Sequence, residues 1–322
     1  MILTVALNAA LDVTYHIDQS ISPHSTHRVR EVTAAAGGKA LNTARILHTL
    51  GESVVSTGLL GGATGRQIAG LIPQGLRHSF VSVAAESRRA LVVADPDDAT
   101  GFWEPGADVT DAEWSGFLDR YAGLSAVARV VVLSGSLPPG LPIDAYAQLV
   151  RIARLNRATT ILDCDGSALH AALPERPDVI KPNTAELAEA VPHLDTGDDA
   201  GVVDAARVLL RAGAGTVVAS RGPEGLIAVT DDGHWSAAPA AAIVGNPTGA
   251  GDACVAGLAR GILHGQPWPS RLRGAVALSS ASVLAPIAGH VEVNDYLRLR
   301  GTVDLRDFVV NNQHVSDNTE EQ

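Results

Sequence analysis

The sequence predicts an α/β protein with a doubly wound, mainly parallel sheet and a small β-lid. Three observations predict it. Short apolar, β-branched runs bounded by Gly, Pro or Asp alternate with helix-length segments along most of the chain, and strand-then-helix alternation needs a parallel sheet with helices on both faces. Two stretches, 13–35 and 87–106, break that rhythm and read as extended, partly alternating segments with few helix signals. A glycine-rich turn leads into a long apolar helix at 252–264, after the last strands of the series.

The strands are read at 3–7, 53–59, 130–134, 160–163, 179–181, 216–220 and 225–230. The helices are read at 40–50, 65–72, 143–155, 185–190, 202–212 and 252–264. Segments 13–35 and 87–106 flank the ligand end of the first strands and are expected to form the lid. With no internal repeat and no low-complexity linker, the expectation is one domain over 1–308 with those two lid segments inserted. The polar stretch 309–322 is expected to be a disordered tail.

Composition narrows the function. The 322 residues are 46% hydrophobic, enough for a sizeable core, and carry a formal charge of −11. An acidic chain argues against nucleic acid as partner, though a local cationic pocket can still receive an anionic metabolite. Cys164 and Cys254 both lie in apolar surroundings, so a reducing, cytoplasmic setting is expected rather than a disulfide framework. The N-terminus reads as a strand and not a signal peptide, and no apolar run approaches the ~18 residues of a membrane span. Of the 24 lysines and arginines only Lys39 and Lys181 are lysine, and both fall inside motifs.

The most specific motif is Asn246-Pro247-Thr248-Gly249-Ala250-Gly251-Asp252, set before an apolar helix. Small residues leave amide N–H groups uncovered where a helix begins, and those donors with the helix dipole form an anion site. Asp252 falls in the first helical turn, where the dipole favours the charged carboxylate that a general base requires. No Gly-Lys-Thr/Ser follows, so this is not a Walker A loop. A bare N-cap explains a lone glycine turn; the complete string points instead to phosphoryl transfer to an alcohol.

This string resembles the C-terminal signature of the ribokinase-like carbohydrate kinases, the PfkB family. The resemblance implies that Asp252 is the catalytic base and that the amides of Gly249, Ala250 and Gly251 form the anion hole. Lys181-Pro182-Asn183-Thr184-Ala185-Glu186 resembles the family's Asn-x-x-Glu element. It implies Mg²⁺ at Glu186 through water, with Lys181 and Asn183 near the phosphates of ATP. A helix cap with an ordinary first-turn acid is the plainer reading of those residues alone.

Gly37-Gly38-Lys39-Ala40-Leu41-Asn42 resembles the family's N-terminal glycine motif, with Ala40 where glycine is usual. Gly38 would let a sugar approach the backbone, Asn42 would bond hydroxyls, and Lys39 would meet a substrate phosphate. Asp12 follows the first strand at the family's sugar-binding position, and Ala9 stands where proline is common. The string from Ser134 to Gly140 also matches and brings Ser136 near substrate. Ser220, Gly222 and Gly225 match the nucleotide-side loop, which departs from the pattern at Arg221, and Thr248 joins that side.

The resemblance runs from residue 3 to about residue 308. Gly-Gly-Lys at 37–39, Ser-Leu-Pro-Pro-Gly at 136–140 and Lys-Pro-Asn at 181–183 resemble one branch, that of 1-phosphofructokinase, tagatose-6-phosphate kinase and the minor 6-phosphofructokinase. It implies an ATP-dependent kinase for a ketohexose phosphate, with fructose 1-phosphate the first choice, then tagatose 6-phosphate or fructose 6-phosphate. Arg88 and Arg28 join Lys39 as candidates for the substrate phosphate. A homodimer formed through the lid and a monovalent cation near the anion hole are implied in the same way. Two rival readings stay open: a kinase for an unphosphorylated sugar or nucleoside, and a non-catalytic sugar-phosphate sensor. His24 and His27 have no further ligands nearby for a metal, and the first strand lacks the Gly-x-Gly-x-x-Gly of dinucleotide enzymes.

Overall fold

A computed structural model describes residues 1–285 and 287–308. In chain order the first half runs β1 (Ile2–Ala6), β2 (Ala10–Ile17), β3 (Val29–Gly37), α1 (Lys39–Thr49), β4 (Val54–Gly61), α2 (Gly62–Leu71), β5 (Arg77–Val83), β6 (Arg88–Ala94), β7 (Ala99–Trp103), α3 (Asp111–Ser125), β8 (Val130–Ser134) and α4 (Ala145–Leu155). The second half runs β9 (Thr159–Asp163), α5 (Gly166–Ala172), β10 (Val179–Ile180), α6 (Thr184–Ala190), α7 (Asp199–Arg211), β11 (Val217–Ser220), β12 (Leu226–Thr230), β13 (Gly233–Ala238), α8 (Ala250–Leu263), α9 (Trp268–Leu284), α10 (Val293–Arg300) and β14 (Asp304–Phe308).

The large sheet has the order β14-β13-β12-β11-β10-β9-β8-β1-β4-β5. From β5 to β11 every pairing is parallel; β12, β13 and β14 add on in antiparallel fashion. Successive side chains of a strand point to opposite faces, and both faces are covered, so the strands read as continuous apolar runs. Leu3, Val5, Val131, Leu133 and Leu162 pack with α3, α4 and α7 on one side. Ile2, Val54, Val130, Val132 and Ile161 pack with α1, α8 and α9 on the other.

The two stretches that interrupt the rhythm supply β2, β3, β6 and β7, which form a separate sheet of order β3-β2-β6-β7. Its root joins the main body through a third apolar cluster that includes Ala9, Leu11, Ala36, Leu41, Leu60 and Ile68. Val32, Phe102 and Trp103 lie exposed on this sheet. The tail expectation at 309–322 lies outside the described residues.

Several elements exceed the sequence reading. α3 carried a usable signal, Thr110 and Glu113 of a capping box: Glu113 N donates to Thr110 Oγ1, and Thr110 N donates to Glu113 Oε2. α9 opens on Trp268-Pro269 and is buried on nearly all sides, which erases helical periodicity. β13 and β14 close the sheet as an antiparallel extension that βα alternation does not foresee. Thr110→Ala should lower unfolding free energy by about 1 kcal/mol in urea titration while leaving activity unchanged, because the cap lies on the outer face of the fold.

Candidate active site

Parallel strands place their carboxyl ends together, and ligands of such sheets collect where the strand order reverses. Here that point is β1, which has β4 on one side and β8 on the other. A cleft of about 570 Å³ opens there, with Asp163, Lys181 and Ser220 at the ends of β9, β10 and β11. α1 and α8 enter it N-terminus first, and neither has a side-chain cap. A side pocket of about 150 Å³ joins it at Gly38, Lys39 and Arg88 and is further lined by Asn8, Ser134, Ser136 and Asp165.

Two buried carboxylates form the floor. Asp163 Oδ1 lies 3.5 Å from Lys39 Nζ and 3.3 Å from Lys181 Nζ, and its other oxygen accepts from Ser134 Oγ at 3.1 Å. Burial, the largest single influence, opposes ionisation, but Lys181, Lys39 and Ser134 together outweigh it and hold this carboxyl below its usual range. Asp252 sits in the first turn of α8 and accepts from Asn42 Nδ2 at 2.8 Å. Burial pushes it up to about 7, with the Asn42 amide opposing and the Asp163 charge adding to the rise. The sequence reading expected the helix dipole to favour the charged carboxylate; loss of hydration is the larger influence here.

The side of the cleft expected to receive the sugar is built by the small sheet's root. Asp12 pairs in register with Ala35 and Ala90, lies against the backbone of Gly37, and burial raises it to about 6 against Arg45 and Arg88. Arg88 is held by backbone carbonyls, Nε on Asn8 O at 3.0 Å and Nη1 on Glu104 O at 3.4 Å, with no carboxylate in salt-bridge range among the described residues. Asn8 in turn donates to Pro105 O and to Ser136 Oγ.

The nucleotide-side candidates line the other end. Asn183 and Glu186 form a reciprocal capping box on α6, so Glu186 Oε2 is occupied by Asn183 N while Oε1 faces Lys39 Nζ at 3.9 Å. Ser220 and Gly222 lie between this cleft and an apolar one of about 460 Å³ walled by Leu226, Ile243, Val244, Val276 and Val283, which Gly225 also lines. Thr248, Gly249 and Gly251 line the polar part. Among the described residues no group of three His, Cys, Asp or Glu side chains could cage a metal. A hydrated Mg²⁺ reaching Glu186 through water would fit this donor set.

The structure alters four expectations. Arg28 is exposed beside the far end of the small sheet, where Ile17 pairs with Val29, and lines no part of this chain's cleft. The Ala250 N–H donates to Pro247 O at 3.1 Å, which leaves the cleft-lining Gly249 and Gly251 to offer amides. Lys39 is paired with acids and is not an orphan cation, whereas Arg88 makes no salt bridge among the described residues. Arg221 turns toward Asp199 at 2.5 Å and Glu224, which explains how a cation is tolerated in the nucleotide loop. Ala9 and Ala40 are fully packed in the third apolar cluster. Sequence reasoning passed over Asp163, Arg45 and Asn8; an acid ending a strand beside two polar-tipped strands was the available signal for Asp163.

Asp252 titrates higher in the fold than the ordinary carboxylate value of 3.8, so the folded chain holds more protons than the unfolded one between the two values, and stability falls as pH rises through that window. Asp252→Asn should therefore raise the melting temperature more at about pH 8 than at about pH 4. An equal change at both, measured by scanning calorimetry, would contradict the raised value.

Comparison with known proteins accords with this geometry. The family model described as pfkB family carbohydrate kinase matches residues 5–292. Phosphofructokinase-2 from Escherichia coli in complex with fructose-6-phosphate is similar at 28% identity over 93% of this chain and 98% of that one, with a TM-score of 0.85. The same enzyme in complex with potassium gives 27%, 93%, 98% and 0.87, and its tetrameric inhibited form gives 27%, 93%, 98% and 0.85. A Thermotoga maritima protein described as a possible 1-phosphofructokinase is 26% identical over 95% of this chain and 99% of that one, at a TM-score of 0.86. The chain belongs to the pfkB family of carbohydrate kinases.

Proposed function

We propose that this kinase transfers the γ-phosphoryl group of ATP to a primary hydroxyl of a ketohexose phosphate, with fructose 1-phosphate first among the candidates and tagatose 6-phosphate or fructose 6-phosphate next. The observation that carries the reading is the side pocket with Arg88, which makes no salt bridge among the described residues, opening into the cleft that holds Asp252. A half-buried guanidinium held by backbone carbonyls, with Asp12 acting on it only through space, keeps charge to spare for an anion. Similarity to an enzyme solved with fructose-6-phosphate supports the same class of acceptor.

The sugar would lie against Asp12, Gly38 and Asn42, with its phosphate toward Arg88, Ser136 and Lys39. The apolar cleft suits a nucleobase, and Ser220, Gly222, Gly225 and Thr248 would line the path of the nucleotide toward Lys181 and Asn183. Asp252 would accept the hydroxyl proton as the oxygen attacks in line, and the amides of Gly249 and Gly251 would hold the charge of the transferring group. Mg²⁺ bound to the phosphates, with Glu186 reached through water, would neutralise charge on them. Closure of the small sheet would exclude water from the cleft. Its exposed Val32, Phe102 and Trp103 suit contact with a second copy, and a homodimer through this lid is part of the proposal. A monovalent cation near the anion hole is proposed from the potassium complex of the similar enzyme. No described helix is long and apolar enough to cross a membrane, in keeping with a cytoplasmic enzyme.

Coupled ADP release with MgATP should show clear preference for one phosphorylated ketohexose over fructose, ribose and adenosine. Turnover of only the unphosphorylated compounds would overturn the acceptor, and silence with sugar phosphate still binding in calorimetry would favour a sensor. Asp252→Asn should lower kcat by ~10²–10⁴-fold while both substrates still bind. Arg88→Ala should raise KM for the sugar phosphate about tenfold or more, with KM for ATP nearly unchanged, as expected for loss of a charge-assisted contact.

A further inference from the structure

Arg45 is a charged residue in the second turn of α1, 6% exposed, and the proposed chemistry leaves it without a role. Its guanidinium makes three contacts inside the protein. Nη2 donates to Ala36 O on β3, Nη1 donates to Ala288 O at 3.0 Å, and Nη1 also reaches Asn42 Oδ1 at 3.4 Å. No carboxylate lies within salt-bridge range of it among the described residues, although Asp12 and Asp252 both act on it through space.

The contact with Asn42 has a directional consequence. A primary amide has one accepting and one donating end. With Oδ1 turned to Arg45, Nδ2 must point the other way, and it meets Asp252 Oδ2 at 2.8 Å. A flipped amide would present its oxygen to the carboxylate and its N–H₂ to the guanidinium, opposing both partners. Thr43, the next residue of α1, anchors the same junction by donating to Asp252 O at 3.2 Å. The turn holding Ala288 is shaped for this arrangement: Gly289 has φ 75°, and a Cβ there would lie 2.6 Å from Arg45 Nη1 and 2.7 Å from Asn42 Oδ1.

We propose that Arg45 is a positioning residue for the proton acceptor: it fixes the Asn42 amide so that its N–H₂ group orients Asp252, and it makes that orientation depend on the root of the small sheet and on the turn at 288–289. The inference rests on the reading of Asp252 as the base. It gives the small sheet a mechanical tie to the reacting end of α8, through Ala36 O, Arg45 and Asn42. Asp252 is faced by Asn42, Asp163, Lys39 and Lys181 and, through space, by Arg45; Arg45 is faced in turn by Asp12, Asp252 and His290, so removing the guanidinium withdraws positive charge from the base.

The test is steady-state kinetics across pH with Arg45→Met, Arg45→Lys and Gly289→Ala. Arg45→Met should lower kcat about 10–100-fold with both KM values changed less than about threefold, and should move the rising limb of kcat to higher pH. Arg45→Lys keeps the charge but not the fork, so kcat should fall while the limb stays in place. If Arg45→Met does not fold, Gly289→Ala decides, since it displaces the guanidinium without removing it: reduced kcat with an unmoved limb is expected. Combined with Asp252→Asn, Arg45→Met should cost no further activity. Parental kcat in folded Arg45→Met or Gly289→Ala, or lower thermal stability alone, would overturn the proposal. Should Asp252→Asn itself retain parental kcat, the failure would belong to the assignment of the base and would take this inference with it.

Discussion

A single buried carboxylate organises the floor of this site. Asp163 stands at the end of β9 and binds both lysines of the chain through one oxygen. An ion pair taken out of water is stable only when each charge is answered, and here Ser134 completes the set. Removing either partner would leave charge stranded. The arrangement fixes more than two side chains. Lys39 begins α1 and Lys181 follows β10, so one carboxylate ties the start of α1 to the end of β10 across the cleft. Because Asp163 remains ionised, its field bears on Asp252 and adds to the effect of burial there. The two acids are thus driven in opposite directions by their surroundings, the pattern that separates a permanent counter-charge from a proton acceptor.

The backbone supplies the rest of the electrostatics. α1 and α8 begin at glycines, Gly38 and Gly249, with no side chain closing the first turn. Uncapped helix starts are sites of positive potential, and both are directed into the same cleft. An acidic protein thereby keeps a cationic interior where its ligands bind, without a basic surface.

Much of this was legible in the sequence, for identifiable reasons. The parallel strands are buried on both faces and show as short apolar runs. The Thr248-Gly249-Ala250-Gly251-Asp252 string has few other uses, and the two segments that became the small sheet stand out because they lack helix signals. What was not legible depends on contacts between distant residues. Asp163 looked like the end of a strand because its lysine partners lie 124 and 18 positions away in the chain. Arg28 and Arg88 were both candidates for the substrate phosphate, yet one falls at the far end of the small sheet and the other at its root, and register separates them. The Ala250 amide could be assigned to the anion hole only until the turn to Pro247 was seen. Glu186 fulfils the plainer reading with one oxygen, which closes a capping box, while the other lies 3.9 Å from Lys39 Nζ.

The apolar cleft that adjoins the polar one at Ser220, Gly222 and Gly251 bears on how binding would register calorimetrically. Its wall includes Val244, which is 89% exposed, alongside Ile243, Leu226, Val276 and Val283. A planar ring entering there would remove these groups from water, and loss of apolar hydration lowers heat capacity. Association at this end of the cleft would therefore become more exothermic as temperature rises. The polar end, where charges exchange one set of partners for another, would carry mainly the dependence on salt. One ligand would report on both, and its two ends would answer to different variables.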